Sequence, residues 1–173
     1  MKKIIILCFL VISVIACNES KKSSYIETYI ESILTKYPNF ASNDIAKKAL
    51  EDSLKTHSKS FIGKATPDIK DITFDFDEII DRGDKHGAIF KTSIYPSIEI
   101  NSTKAKYVSP IVGLCVFVVV TDDIAATLDA NKKYRISGIL TDWDSSDFSY
   151  STTDDISLGT YMIDNAKIEE VKE

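Results

Sequence analysis

The sequence predicts an α+β fold in which an N-terminal helical hairpin precedes a small antiparallel β-barrel. Apolar residues recur every three or four positions over residues 26–61, as they do on one face of a helix. After Pro67 apolar and polar residues alternate at a period of two in several short segments, as in strands with one buried face. Gly138 interrupts one of these segments, and a glycine inside a strand often marks the sharp bend that a barrel requires.

Two helices are expected in the hairpin, over residues 25–65. The first should end at Pro38, because the residue before a proline avoids the helical region. Ser42 and Asn43 are suitable N-caps for the second helix, and Gly63 is a suitable end. His57 lies on the apolar side of the second helix. A half-buried packing role is favoured over metal binding for it, since no second ligand candidate is near in sequence.

Five segments are expected to be strands: Ile72 to Asp81, Ala88 to Ile94, Ile111 to Thr121, Lys132 to Trp143, and Leu158 to Val171. The third is the most apolar stretch after the first 16 residues, which predicts a central strand buried on both faces. Cys115 lies within it and is expected to be a small core residue. Asp122 should cap one or two helical turns before the fourth strand, with Ile124, Ala125 and Leu128 packing inward.

Residues 1–16 form a distinct segment. Lys2 and Lys3 precede an apolar run that ends at Ala16 and is shorter than the roughly 20 residues needed to span a bilayer. A positive head, a short apolar run and a small final residue are typical of a secretory signal. The following motif, Val14-Ile15-Ala16-Cys17, resembles the lipobox of bacterial lipoproteins.

The lipobox resemblance implies cleavage before Cys17 and attachment of lipid, palmitate among it, to Cys17. Residues 17–24 would then be a lipidated tether that anchors the protein to a membrane of the cell envelope. Asn18 follows the cysteine where an aspartate would favour retention in the inner membrane. The resemblance therefore implies the outer membrane more than the inner membrane.

Charge limits the class of partner. Loss of residues 1–16 removes two lysines and no acid, which changes the formal net charge from −5 to −7. Residues 18–66 carry a net charge of +2, whereas residues 67–173 carry −9. No nucleic-acid partner is expected, because phosphates are bound by clustered Lys and Arg.

The stretch Lys133-Tyr134-Arg135-Ile136-Ser137-Gly138-Ile139 resembles a strand of the oligonucleotide/oligosaccharide-binding (OB) barrels that occur in many bacterial lipoproteins. The resemblance covers the predicted barrel domain, residues 67–173. It implies a binding face flanked by the loops between strands one and two and between strands four and five. These loops are expected at residues 81–87 and 142–155.

The second of these loops is rich in acidic and aromatic residues. The candidate contact residues for a ligand or partner are Trp143, Asp144, Asp147, Phe148 and Tyr150. Such a surface suits an envelope protein or a glycan, since Trp and Tyr are favoured at interfaces. The alternative is a loop whose aromatic residues only cover the end of the barrel. Calcium binding by this loop is a less favoured alternative, because a calcium loop would need Gly and Glu at positions that hold Asp147 and Thr153. No metal and no cofactor are assigned.

These observations predict a membrane-anchored envelope lipoprotein that acts as a binding or scaffold module through its barrel. One alternative is an envelope protein that interacts through the helical hairpin. A less favoured alternative is an enzyme with a carboxylate site. Enzyme activity is not expected, because the sequence lacks a glycine-flanked nucleophilic serine, a zinc-binding HExxH motif and a phosphate-binding loop.

Overall fold

The computed structural model describes residues 24–65, 69–81, 86–96, 111–150 and 155–172, with only the backbone described over 147–150. The fold is α+β, with three helices and a five-stranded mixed sheet, which confirms the coarse fold class. The predicted signal, Cys17 and all but the last residue of the tether lie outside the described residues.

Both hairpin helices form where the sequence predicts them. Helix α1 spans Tyr25–Lys36 and helix α2 spans Asp44–Lys59, with a short 3₁₀ turn at Phe40–Ser42 between them. At the start of α1, Ser24 and Glu27 form a reciprocal capping box, in which the Ser24 N–H donates to the Glu27 carboxylate at 2.6 Å. The Asn43 side chain caps α2, as expected. Helix α2 ends before Gly63, which lies in the turn that follows.

The strands are β1 (Phe74–Asp81), β2 (His86–Ile94), β3 (Val112–Val120), β4 (Lys133–Tyr150) and β5 (Ile156–Glu170). Their order in the sheet is β1-β2-β3-β5-β4. The sheet closes into a ring because β4 also pairs with β1, through Phe74 with Tyr134 and Asp75 with Lys133. The five strand segments are therefore confirmed, with shifted ends. Strand β1 begins two residues later than expected, β2 and β5 begin two residues earlier, and β4 continues past Trp143 to Tyr150.

The prediction that all the strands are antiparallel is wrong for one pair. Strands β3 and β5 are parallel, whereas the other neighbouring pairs are antiparallel. A parallel pair needs a crossover of about a dozen residues or more, and the chain provides it with a helix and the whole of β4. Alternation of apolar residues reports which face of a strand is buried and carries no information about strand direction.

Gly138 marks a bend in β4, as predicted. The register between β4 and β5 shifts between Ser137 and Ile139. A Cβ atom at Gly138 would lie 2.5 Å from the Ile163 side chain and 2.8 Å from the Asp164 carbonyl oxygen. Only a residue without a side chain allows the two strands to approach this closely.

Two local predictions between β3 and β4 are corrected. Helix α3 spans Asp122–Ala125, and its N-cap is Thr121, whose side-chain oxygen accepts the Ile124 N–H. The cap lies one residue earlier than expected because the strand ends at Val120 and Thr121 already has extended geometry. Ile124 is exposed rather than packed inward, whereas Ala125 and Leu128 do pack against the core.

Strand β3 is not buried on both faces. Its even-numbered residues from Val112 to Val120 point into the core. On the opposite face Cys115 is half-buried and Val119 is 46% exposed. The expectation that Cys115 is a core residue is therefore wrong, and its thiol belongs to the outer face of the ring.

The hairpin and the ring share one hydrophobic core. Ile30, Leu34 and Leu54 from the helices meet Val112 and Leu158 from the strands at one end of the ring. The hydroxyl groups of Ser58 and Tyr161 form a buried hydrogen bond of 2.8 Å across this junction. After α2 the chain pairs briefly with β4, because Gly63 donates its N–H to the Leu140 carbonyl oxygen at 2.7 Å. Packing of the helical faces against the strands thus supplies the ring with a cover at this end.

Candidate functional site

The candidate site is the outer face of the ring on β1, β2, β3 and β5. The strand register determines which residues lie side by side on this face. Since Ala88, Phe90 and the even-numbered residues of β3 point inward, the residues between them point outward. Pairing places the outward residues in rows that cross the strands. One row is Ser93, Gly113 and Ser157, and the next is Asp75, Lys91, Cys115 and Thr160.

A groove of about 530 Å³ lies on this face. Its lining includes Asp75, Lys91, Thr92, Ser93, Gly113, Leu114, Cys115 and Ser157. The volume is within the range of small-molecule sites. Hydroxyl, amine, carboxylate and thiol groups converge on it from four strands, so the groove offers both hydrogen-bond donors and acceptors.

The charges that border the groove are paired. The Lys91 ammonium lies 2.7 Å from the Asp77 carboxylate, and Lys133 forms an ion pair with Asp75. The hydrogen bond with Asp77 raises the pKa of Lys91 above its ordinary value, against a smaller opposing effect of desolvation. Lys91 is therefore a cation at neutral pH, and its partner offsets its charge. This local neutrality fits an uncharged polar ligand better than a polyanion.

The apolar part of the same face lies next to the groove. Register aligns Ile89, Phe117 and Met162 in one row, with Gly87 and Val119 in the next. The Phe117 ring lies directly over Gly87, where a side chain would collide with it. Phe117 is only 8% exposed although it belongs to the outer face. The face therefore changes from polar to apolar along β3.

The structure places the predicted acidic loop in a strand. Strand β4 continues to Tyr150, and Asp144 pairs with Thr160, Phe148 with Leu158 and Tyr150 with Ile156. The expectation that residues 142–150 join β4 to β5 is therefore wrong, and the residues between the two strands, 151–154, lie outside the described residues. The strand absorbs the run of polar residues through a register shift between Asp144 and Phe148.

Trp143 is buried in this strand, with 5% of its surface exposed. Its indole Nε1 donates a hydrogen bond of 2.8 Å to the Leu158 carbonyl oxygen, and the Lys59 ammonium lies 5.9 Å from the ring centroid. Gly159, with φ of 78°, passes so close to the ring that a Cβ there would lie 3.2 Å from Nε1. For Trp143 this environment favours a packing role over ligand contact.

Asp144, the other predicted contact residue whose side chain is described, is not among the residues that line the groove. Asp144 is exposed, and its carboxylate accepts the Ser146 N–H at 2.8 Å. Hydrogen bonds from the backbone and side chain of Ser146 hold the pKa of Asp144 below its ordinary value. The backbones of Asp147, Phe148 and Tyr150 lie in β4, and their side chains lie outside the described residues.

Sequence reasoning did not single out the residues that line the groove. Lys91 is a polar residue in a mostly apolar strand, and Asp75 and Asp77 alternate with apolar residues in β1. The sequence pattern therefore indicates that all three face the solvent. Nothing in the sequence indicates that Asp75 and Lys91 share a groove with Gly113 and Ser157, which are distant in the chain. The register that joins them is a property of the closed sheet.

Comparison of the chain with protein-family models, curated proteins and solved structures gave no match. Across the described ranges, no group of three or more His, Cys, Asp or Glu side chains is arranged to hold a metal ion. None of the helices in the described part of the chain has the length and apolar character needed to cross a bilayer.

Proposed function

We propose that this protein is a membrane-anchored lipoprotein of the cell envelope that binds a ligand or partner through the outer face of its closed sheet. The observation that carries the proposal is the groove of about 530 Å³, which is lined by polar groups from β1, β2, β3 and β5. The lipobox-like motif at 14–17 supplies the anchor, and lipid on Cys17 would tether the domain to a bilayer, with the outer membrane favoured.

We further propose that the ring is a barrel of the OB type. Support comes from the strand order β1-β2-β3-β5-β4, the parallel β3–β5 pair and the helix between β3 and β4, which together correspond to the topology of that class. In such barrels the face formed by strands two and three binds ligands. The groove lies on that face here, because Lys91 and Ser93 come from β2 and Gly113 and Cys115 from β3.

The chemistry of the groove favours a glycan or a polar segment of an envelope protein. Ser93 and Ser157 can exchange hydrogen bonds with hydroxyl or amide groups, and the Lys91–Asp77 pair offers a donor and an acceptor together. The paired charges and the acidic surroundings disfavour nucleic acid. We propose a binding role without catalysis. The lining residues that the structure describes include no histidine, and Lys91, the cross-strand neighbour of Cys115, is engaged by the Asp77 carboxylate.

The ring is favoured over the hairpin as the interaction element. The apolar faces of α1 and α2 contribute Ile26, Ile30, Leu34, Leu50 and Leu54 to the core that they share with the strands. An interaction along the length of the hairpin would need an exposed apolar stripe on its helices, and this stripe is buried. The exposed large apolar residues of the hairpin that the structure describes, Tyr25, Ile45 and Ile62, lie at its two ends.

The anchor is tested by replacing Cys17 with serine. We expect C17S to remain unprocessed or to leave the membrane fraction, because serine lacks the thiol that would carry the lipid. Labelled palmitate should enter the unchanged protein and not the variant, as measured by fractionation and autoradiography. Equal labelling and unchanged fractionation of the two proteins would contradict the anchor.

The groove is tested by filling it with a large side chain at Gly113. A Cβ at this position meets the Ile156 carbonyl oxygen at 3.8 Å, an ordinary contact, so a side chain can be introduced here without a collision with the backbone. We expect G113W to weaken capture of soluble peptidoglycan fragments, or of crosslinked envelope proteins, by about tenfold or more, which corresponds to about 1.4 kcal/mol. Equilibrium binding and crosslinking with the purified full chain measure this.

The matched control for the groove is V119W, on the same strand and face but outside the groove. It adds the same indole ring to the surface and should leave capture unchanged. If both variants bind as the unchanged protein does, the groove is not the binding site. If both variants lose binding equally, binding does not depend on the groove in particular, and the groove is likewise rejected as the site.

A further inference from the structure

The end of the hairpin where the chain enters α1 carries exposed apolar and basic side chains. Tyr25, the first residue of α1, is 53% exposed, and its ring packs edge-on against Phe61 at a centroid distance of 6.1 Å. Ile62, which follows Phe61 in the chain, is 42% exposed. Lys59, three residues before Ile62, and Lys64, two residues after it, are also exposed. We call Tyr25, Lys59, Phe61, Ile62 and Lys64 the entry surface.

Stacked aromatic rings beneath the surface, those of His57 and Tyr29, support the entry surface. His57 is 9% exposed and stacks on Tyr29 with a centroid distance of 3.6 Å. The ring of Tyr25 stacks on His57 at 5.9 Å, and Phe61 meets His57 edge-on at 5.1 Å. The Tyr29 hydroxyl donates to the Ser53 carbonyl oxygen at 3.0 Å. The rings that reach the surface are thus fixed by contacts between the two helices.

We propose that the entry surface lies against the headgroups of an anionic phospholipid bilayer and sets the orientation of the domain on the membrane. This inference rests on the proposed lipid anchor at Cys17. Ser24 is seven residues from Cys17, a distance of at most about 25 Å even in a fully extended chain. The start of α1 therefore cannot move far from the bilayer to which Cys17 is attached.

The chemistry of the entry surface fits a bilayer interface. Tyr rings are favoured at headgroup depth because one end is apolar and the other forms hydrogen bonds. The Lys64 ammonium donates to the Ser60 carbonyl oxygen at 2.7 Å, and the Lys59 ammonium lies 5.9 Å from the Trp143 ring centroid. Both side chains are long and exposed, so their ammonium groups can exchange these contacts for lipid phosphate. Lys21 and Lys22 precede the helix in the sequence. The one acid in the first turn of α1, Glu27, is engaged with the Ser24 N–H in the capping box.

The distribution of charge along the chain also favours an orientation with the entry surface toward the bilayer. Residues 18–66 carry a net charge of +2 and residues 67–173 carry −9. An anionic bilayer attracts the first part and repels the second. The tether and the hairpin together are therefore the part of the molecule that charge directs toward the lipid.

The test places an environment-sensitive fluorophore on single cysteines of the full acylated chain, with Cys115 replaced by serine. One label replaces Ile62 in the entry surface. The matched control replaces Ile45, which is 83% exposed at the opposite end of the hairpin. Each protein is reconstituted into vesicles of phosphatidylethanolamine and phosphatidylglycerol that contain brominated acyl chains, and quenching is measured after flotation.

We expect quenching at position 62 to exceed that at position 45 by about threefold, because interfacial elements enter the headgroup region by about 5–10 Å. Y25D should remove this difference while the protein still floats with the vesicles. Equal quenching at the two positions in protein that floats would overturn the entry surface and leave the anchor intact. Failure of the unchanged chain to float would remove the anchor and this inference together.

Discussion

V118D should abolish cooperative folding of the protein. Val118 is 1% exposed in the middle of β3, between β2 and β5, and its side chain points into the shared core. An aspartate there would bury a charge without a partner, at a cost of several kcal/mol. Domains of this size are stable by only about 5–15 kcal/mol, so we expect loss of most folded protein. Circular dichroism during thermal unfolding measures this.

The adjacent residue provides the matched control for V118D. Val119 lies on the same strand but faces outward and is 46% exposed. V119D introduces the same charge into water and should lower the free energy of unfolding by about 0.5 kcal/mol or less. A V118D protein that melts within a degree or two of V119D would mean that β3 does not have its even-numbered residues in the core.

W143A should lower the free energy of unfolding by about 3–5 kcal/mol, the usual range for a buried aromatic residue. The substitution removes a ring that is 5% exposed and leaves the Leu158 carbonyl oxygen without its indole donor. It also removes the aromatic face that lies beside the Lys59 ammonium. Denaturant unfolding of the full chain in detergent gives the change directly.

The comparison for W143A is Y95A, which removes an aromatic ring that is 70% exposed. We expect Y95A to change stability by about 0.5 kcal/mol or less. If the W143A protein is as stable as the Y95A protein but does not capture an envelope partner, Trp143 is a contact residue, as the sequence predicts. Loss of stability with capture retained at low temperature would establish its packing role.

Local patterns in the sequence were sufficient to predict the hairpin. The three-and-four spacing of apolar residues, Pro38 and the Asn43 cap each act within a few residues of the chain, and the structure agrees at each. The same holds for Gly138, whose position inside a strand marked the bend in β4. Physical effects that operate over one or two turns can be read from one sequence.

Pairing over long distances could not be predicted in this way. The parallel β3–β5 pair depends on how the chain crosses the ring, and the extension of β4 through Asp142 and Asp144 depends on hydrogen bonds supplied by β5. The polar composition of that stretch favours a loop by itself, and tertiary pairing overrides the preference. The groove was not predicted for the same reason, since Asp75 and Ser157 come to line one groove only through the register of the strands between them.

The seam that closes the ring has a consequence for aggregation. Among the described residues, β1 and β4 are joined by two residue pairs, Phe74 with Tyr134 and Asp75 with Lys133, whereas β2 and β3 are paired along nine. A ring with one short seam opens there first, and opening exposes β1 as an edge strand that another chain could extend.

The composition of β1 protects against that event. Four of its eight residues are acidic: Asp75, Asp77, Glu78 and Asp81. A second molecule that approached this edge with its own β1 would meet a row of like charges, which discourages strand addition. The acids of β1 would therefore discourage strand addition to a transiently opened molecule until the seam closes again.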